Sequence, residues 1–323
     1  MNARRKWLLV GTIAALGAGI CYAQYQRGAG RGRLRGGESE GGPFVWTEGS
    51  GLVNEDTVRT ARETMTHSTG TPNWTNTSGF EKDVFTFARV VFKSNPRGAT
   101  GWGGRGRRLG WWVDYPDADL NFSYRLQQMT AMKVDPDCRV LKFTDPALSD
   151  YPLLYIEHAG YMQLRDEEVG ALRKYLLNGG ALFVNDFWST QEWDGFEAQM
   201  NQVLPGRSWT NLPMSHPLFH CVCDLKGPMN NLQVPTKQFW NPDYDPHDPD
   251  SRLQRVFRGE GSEDMHVRAW LDDQQRPMIL VIHNSDISDG WEREGEDLDY
   301  FEKFSEKISY PLGINIVFYL MTH

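Results

Sequence analysis

The sequence predicts an α/β protein, a mostly parallel β-sheet with helices on both faces. Three observations carry this. Strand-like and helix-like segments alternate from about residue 80 onward. The strand segments are apolar on both faces, as strands covered on two sides by crossover helices must be. The clearest helix ends at Asn178-Gly179 and feeds directly into the next strand, the connection that βαβ units use.

In chain order, Arg4, Arg5 and Lys6 precede an apolar run, Trp7 to Ile20, and then Cys21-Tyr22-Ala23. A basic start, a short apolar core and a small residue before the cut make residues 1–23 a secretory signal. The run is shorter than the ~20 residues of a membrane span, so no span is expected after cleavage; an uncleaved anchor is the alternative. Ile20 before Cys21 argues against a lipid anchor. Residues 24–79 read as a flexible N-terminal segment: 27–42 are rich in Gly and charge, which cannot bury apolar surface, and 43–79 are rich in Thr and Asn with one short helix at 54–66. The packed domain is expected over 80–323.

Within it, 84–92 (VFTFARVVF) is β-branched and aromatic on both faces. Phe122, Leu126 and Met129 fall on one helical face and predict a helix over 119–131. Strands are expected at 139–143 and 153–157. Residues 166–178 carry three acids in the first turn and Val169, Leu172 and Leu176 on one stripe, a helix with a C-terminal stop. A buried strand follows at 181–185. Segments 267–271 and 278–283, joined by Asp272-Asp273-Gln-Gln-Arg, read as a hairpin. Leu312, Ile316 and Leu320 mark a closing helix over 311–320.

Composition narrows the function classes. A net charge of −8 and pI near 5.5 argue against nucleic-acid binding. With 40 % hydrophobic residues, 12 Trp, 12 Tyr and 16 Phe, the chain can bury a large core. After the signal, Cys138, Cys221 and Cys223 are too few for a disulfide framework. Cys221 and Cys223 are too close to bridge comfortably, so at most one pairs with Cys138. Nothing implies a cofactor.

Ligands of open α/β sheets sit beyond the C-terminal ends of the strands. Glu157-His158 follows one predicted strand, Asp186-Phe187-Trp188 the next, and His283-Asn284-Ser285-Asp286 a third. If these strands are neighbours, carboxylates, imidazoles and an indole meet along one rim. Such groups supply acid–base chemistry or metal ligands, and Trp188 supplies a flat surface for a sugar. The structural alternative is that they cap helices or hold loop backbone. The tract from Trp111 to Asn121 brings Asp114, Asp117 and Asp119 before a helix that also carries Arg125. Its acid spacing copies the start of a calcium-hand loop, then fails at Phe122 and Gln128; helix capping explains Asp117 or Asp119 more simply, and paired carboxylates beside tryptophans would also suit a carbohydrate cleft. His216 and His220, four apart near Cys221 and Cys223, are weak metal candidates, because Pro217 suggests a helix start and no Glu follows the first histidine. The run from Gly101 to Gly106 matches G-x-G-x-x-G but lies too far from a strand for a dinucleotide site and reads as a loop.

The strings FEKDVFTFARVVF, WWVDYPDADLNFSYRLQQMT, LRKYLLNGGALFVNDFW, SHPLFHCV and PLGINIVFYLMTH resemble the bacterial domain-of-unknown-function family 4159. The resemblance implies a flavodoxin-like sheet similar to the class I glutamine amidotransferases, in proteins that are often exported. In those enzymes a glycine pair leads into a strand that ends in a sharp elbow bearing a nucleophilic cysteine. Here Gly179-Gly180 leads into 181–185 and the elbow falls at Asp186, with no Ser or Cys before Ser189. The thiolate that glutaminase chemistry requires is missing. The family tract usually carries two aspartates before Phe-Trp-Gly, whereas this chain has Asn185 and Ser189. Two readings follow: a non-catalytic envelope domain binding a ligand, such as a saccharide, or a protein partner at the rim, and an exported polysaccharide hydrolase with Asp186, Glu157 and Asp114 as candidate catalytic carboxylates.

Overall fold

A computed structural model describes residues 43–47, 51–67, 70–79, 83–95, 110–240, 242–243 and 258–323. The signal segment, the 27–42 tether and the Gly101–Gly106 run lie outside the described residues.

Seven strands form the main sheet, in the order β5-β3-β6-β8-β11-β10-β9. These are β3 (Ala88–Val91), β5 (Arg139–Lys142), β6 (Leu153–Glu157), β8 (Ala181–Asn185), β9 (Trp209–Asn211), β10 (His266–Leu271) and β11 (Pro277–His283). β5, β3, β6, β8 and β11 are mutually parallel, whereas β10 runs antiparallel between β11 and the edge strand β9. The sheet is therefore mixed. Four short strands lie outside it: β1 (Phe44–Thr47) pairs with β2 (Gly51–Asn54), and β4 (Lys93–Ser94) with β7 (Met162–Gln163).

β6, β8 and β11 are buried at every position, which accounts for their unbroken apolar sequence. Helices α1 (Asp117–Met129), α2 (Asp166–Leu177), α3 (Ser189–Val203), the single-turn α4 (Asp289–Glu292) and α5 (Leu298–Tyr300), and the C-terminal α6 (Tyr310–Thr322) cover the sheet. A π-helical stretch, Phe301–Ser309, joins α5 to α6, so the closing helix is longer than its apolar stripe indicates. β6, β8 and the β10–β11 hairpin match the sequence expectation closely. The first strand is shorter, β3 being preceded by an isolated bridge from Phe85 to Val134. Helix α3 was not expected at all.

Residues 43–79 correct the domain boundary. They belong to one compact unit running from Pro43 to His323, and the packed part begins well before residue 80. Val53, Val58 and Ala61 are buried in the core. The indole of Trp74 donates to the Val134 carbonyl at 2.8 Å, and Arg62 donates to the carbonyls of Pro136 and Thr71. The helix expected over 54–66 is a single 3-10 turn, Ala61–Glu63. Thr and Asn enrichment reads as flexible, yet a few apolar anchors and backbone-seeking arginines order the segment.

Candidate functional site

The three strands expected to share a rim are consecutive neighbours. Glu157 pairs across from Asn185, and Val281 pairs with Val184, so β6, β8 and β11 end at one level. Seven non-glycine residues among those described have positive φ, and five stand at this rim: Asp114 (57°), His158 (50°), Asp186 (49°), Ser189 (72°) and Asn284 (61°). Left-handed backbone at non-glycine residues is costly and gathers where the surrounding structure enforces a site.

Asp186 is the elbow between β8 and α3. Its Oδ2 receives His158 Nε2 at 2.5 Å, and its Oδ1 accepts from Trp188 Nε1 at 2.7 Å and faces Arg258 Nη1 at 3.5 Å. Burial pushes its carboxyl up, but His158, Arg258 and the indole outweigh this and hold it at about 2. Burial lowers His158, and the opposing pull of Asp186 leaves it raised. Trp188 is not the open platform expected from its sequence position. Its ring is 1 % exposed, tethered to Asp186, with the Arg258 guanidinium 4.9 Å above it.

The start of α3 is equally occupied. The Trp188 N–H donates to Glu192, Ser189 N–H to Asn284 Oδ1, and Thr190 N–H to the Glu260 carbonyl. Asn284 also donates to the carbonyls of Gly261 and Asp264, so it fastens loops together. His283 is buried: its Nε2 pairs with the Ser189 carbonyl at 3.0 Å and its Nδ1 faces Arg268 Nη1 at 3.3 Å. Burial and then Arg268 lower it to about 3.

Asp286 accepts from Thr236 Oγ1 at 2.6 Å on one oxygen, and from Ser288 Oγ and the Asp289 N–H on the other. Asp114 stands on the turn before α1, and its Oδ2 is buried with no hydrogen-bond partner. Burial, then neighbouring acids, push both well above the usual carboxylate range; Glu292 leads for Asp114 and Asp186 for Asp286. Oxygens of Asp114, Asp186 and Asp286 all lie within 4.8 Å of one another, and so do those of Asp114, Asp289 and Glu292. Among the described residues, these two carboxylate groups are those that could hold a metal.

Other sequence candidates are committed elsewhere. Glu157 and Asp119 bracket Arg89, which is fully buried on β3: Arg89 Nε lies 2.9 Å from Asp119 and Nη1 lies 2.8 Å from Glu157 Oε2. A buried ion triad of this kind is costly to break, and Glu157 is held by Arg89 and Tyr155. Asp117 accepts from the His67 backbone and Nδ1. Pro116, not either aspartate, occupies the cap position of α1, which corrects the capping expectation. Arg125 pairs with Glu294 and lies over Tyr310. His216 accepts from the Leu218 N–H as the cap of a 3-10 turn, and His220 is held by Asp224 and the Met214 carbonyl. Among the described residues neither histidine falls in a group of potential metal ligands close enough to share an ion. Cys138, Cys221 and Cys223 are free thiols; Cys138 is buried against Ser123, and Cys221 contacts the Asn315 carbonyl.

Sequence reasoning missed Arg89, His67, Thr236, Arg258, Asp289, Glu292 and Arg293. Arg89 had a signal, being the one charge inside an otherwise apolar strand. Asp289 and Glu292 had another, their three-residue spacing on one helical turn.

The fold and rim define an α/β domain with a buried acidic site at its strand ends. The chain belongs to the family described as Domain of unknown function (DUF4159), whose model matches residues 99–321. No curated protein matches it.

Proposed function

We propose that the chain is an exported, amidotransferase-like domain whose strand-end rim binds a ligand and does not turn over glutamine. The observation that carries this is the concentration of left-handed, buried polar residues at the ends of β6, β8 and β11. In chain order the five parallel strands run second, first, third, fourth, fifth, the order of flavodoxin-like sheets, whose ligands sit at this edge. Gly179-Gly180 leads into β8 and Asp186 takes the elbow, so the likeness to amidotransferases extends to the position of the nucleophile but not to its chemistry. Both oxygens of Asp186 are engaged and the first N–H groups of α3 are occupied, which disfavours nucleophilic attack there.

Polysaccharide hydrolysis fits less well. Asp114 and Asp186 approach within 4.8 Å, closer than the roughly 5–10 Å that glycosidase carboxyls keep around a sugar. Both are buried, and a glycan chain needs an open cleft. The acids favour a small, positively charged ligand. Export is proposed on the N-terminal basic–apolar–small pattern.

A thermal-shift panel of metal chlorides, amino sugars, neutral saccharides and cell-wall glycan fragments, run with and without EDTA, tests the rim. A ligand binding only the folded state must raise the melting temperature, with about 2.7 kcal/mol at a hundredfold excess over Kd. The expected result is a shift from a cationic member that Asp186→Asn abolishes, with no ammonia released from glutamine. Silence across the whole panel, or turnover of glutamine or glycan, would overturn the reading.

A further inference from the structure

We infer that Asp114, Asp186 and Asp286 together bind one hard divalent cation, Ca2+, Mg2+ or Mn2+, at this rim. The inference rests on the binding-site reading above and names the ligand class. Oxygens of the three side chains lie within 4.8 Å of one another. A cation holding oxygens at about 2.0–2.6 Å places opposite ligands roughly 4–5 Å apart, so the three side chains stand close enough together to share one ion.

A second observation points the same way. Asp114 Oδ2 is buried with no hydrogen-bond partner, and its side chain belongs to this triad. The donors nearby are already used: Trp188 and His158 on Asp186, and Thr236, Ser288 and the Asp289 N–H on Asp286. Asn185 Oδ1 is likewise buried without a partner. Its Nδ2 donates to Ser288 Oγ, which in turn reaches Asp286 Oδ1. Two buried lone-pair donors with no hydrogen to accept are costly unless something electron-poor meets them.

Charge balance selects this triad over its neighbour. Asp289 and Glu292 are paired with Arg293, and Glu292 also with His67. Asp186 has His158 and Arg258, which fix its orientation. Asp114 and Asp286 have no cation within salt-bridge distance among the described residues. An all-carboxylate set favours a hard ion over zinc or copper, which prefer nitrogen and sulfur. The ligands come from the turn before α1, the end of β8 and the loop after β11, so the ion would tie three segments together.

The test is Mn2+ binding to the EDTA-stripped full chain, followed by the loss of the free-ion paramagnetic resonance signal and competed with Ca2+. One Mn2+ per chain is expected, saturating at or below millimolar concentration. Asp114→Asn and Asp286→Asn should each weaken it at least tenfold, with circular dichroism confirming that they fold, whereas Asp273→Asn, on the exposed β10–β11 turn away from the rim, should change it less than threefold. No binding by the wild type overturns the inference, as does a site lost in Asp289→Asn but kept in Asp286→Asn. If Mn2+ fails while an organic cation still gives a shift that Asp186→Asn removes, the cation inference falls and the rim reading stands.

Discussion

His283 shows how a single buried residue sets a pH dependence. Its ring is enclosed, with the Nε2 hydrogen directed to the Ser189 carbonyl and Nδ1 left to accept from Arg268. Protonating Nδ1 would set two positive groups against each other, which is why burial and Arg268 bring it down to about 3. An unfolded histidine titrates near 6.5, so below that pH the unfolded chain binds the extra proton and the native one does not. The stability contributed by neutral His283 is complete above pH 6.5 and falls as pH drops toward 3. Between pH 7 and 5 the loss is about 2 kcal/mol. Urea unfolding of wild type and His283→Gln should give a stability difference that shrinks by that amount over this interval; a difference independent of pH would refute the account. At this scale the sequence announced His283, Asp186 and Asp286 as strand-end residues, because position after a strand is local information. It did not announce that Asp119 would pair with Arg89, because partner choice between residues 30 apart depends on how α1 packs on β3.

Elements meet as closely as their smallest residues permit. Helix α3 approaches the turn after β6 so tightly that a Cβ on Gly195 would lie 2.2 Å from the Gly160 carbonyl oxygen, and one on Gly160 would lie 2.4 Å from Glu192 Cβ. That turn carries His158, the partner of Asp186, so the closeness of α3 positions the rim. Gly195→Ala should therefore push the helix away and cost about 1–3 kcal/mol by overpacking. Gly170→Ala on α2, where a Cβ meets nothing within 4 Å, should gain up to about 1 kcal/mol of helix propensity. Denaturant midpoints of the two variants moving in the same direction would remove the packing argument. The same glycine explains why α3 escaped a reading that found α2. Trp193, Phe196, Met200 and Val203 are buried at helical spacing, but Gly195 interrupts them and the remaining positions are mostly polar. β6 and β8 were legible because burial on both faces leaves little room for anything but apolar residues.

For the molecule as a whole, the decisive question is which compartment its site faces. No helix among the described residues is long and apolar enough to cross a membrane. The candidate targeting signal is the Arg4-Arg5-Lys6 start with its apolar run and Ala23. If it directs export and cleavage, the mature protein begins at Gln24 and is recovered from the soluble envelope fraction of a bacterial host. Reversing the charge with Arg4→Glu, Arg5→Glu and Lys6→Glu together should leave it uncleaved in the cytoplasm, since the basic start orients the segment. Recovery of wild-type chain that still begins at Met1 in the membrane fraction would establish an anchor instead. The compartment also sets the affinity a cation site needs. Extracellular calcium modules work at dissociation constants of about 10⁻⁴–10⁻³ M, the range in which an exported calcium site would have to bind. A cytoplasmic calcium site would need far tighter binding from the same three groups. The fractionation result therefore fixes the concentration range over which the Mn2+ and Ca2+ titrations bear on function.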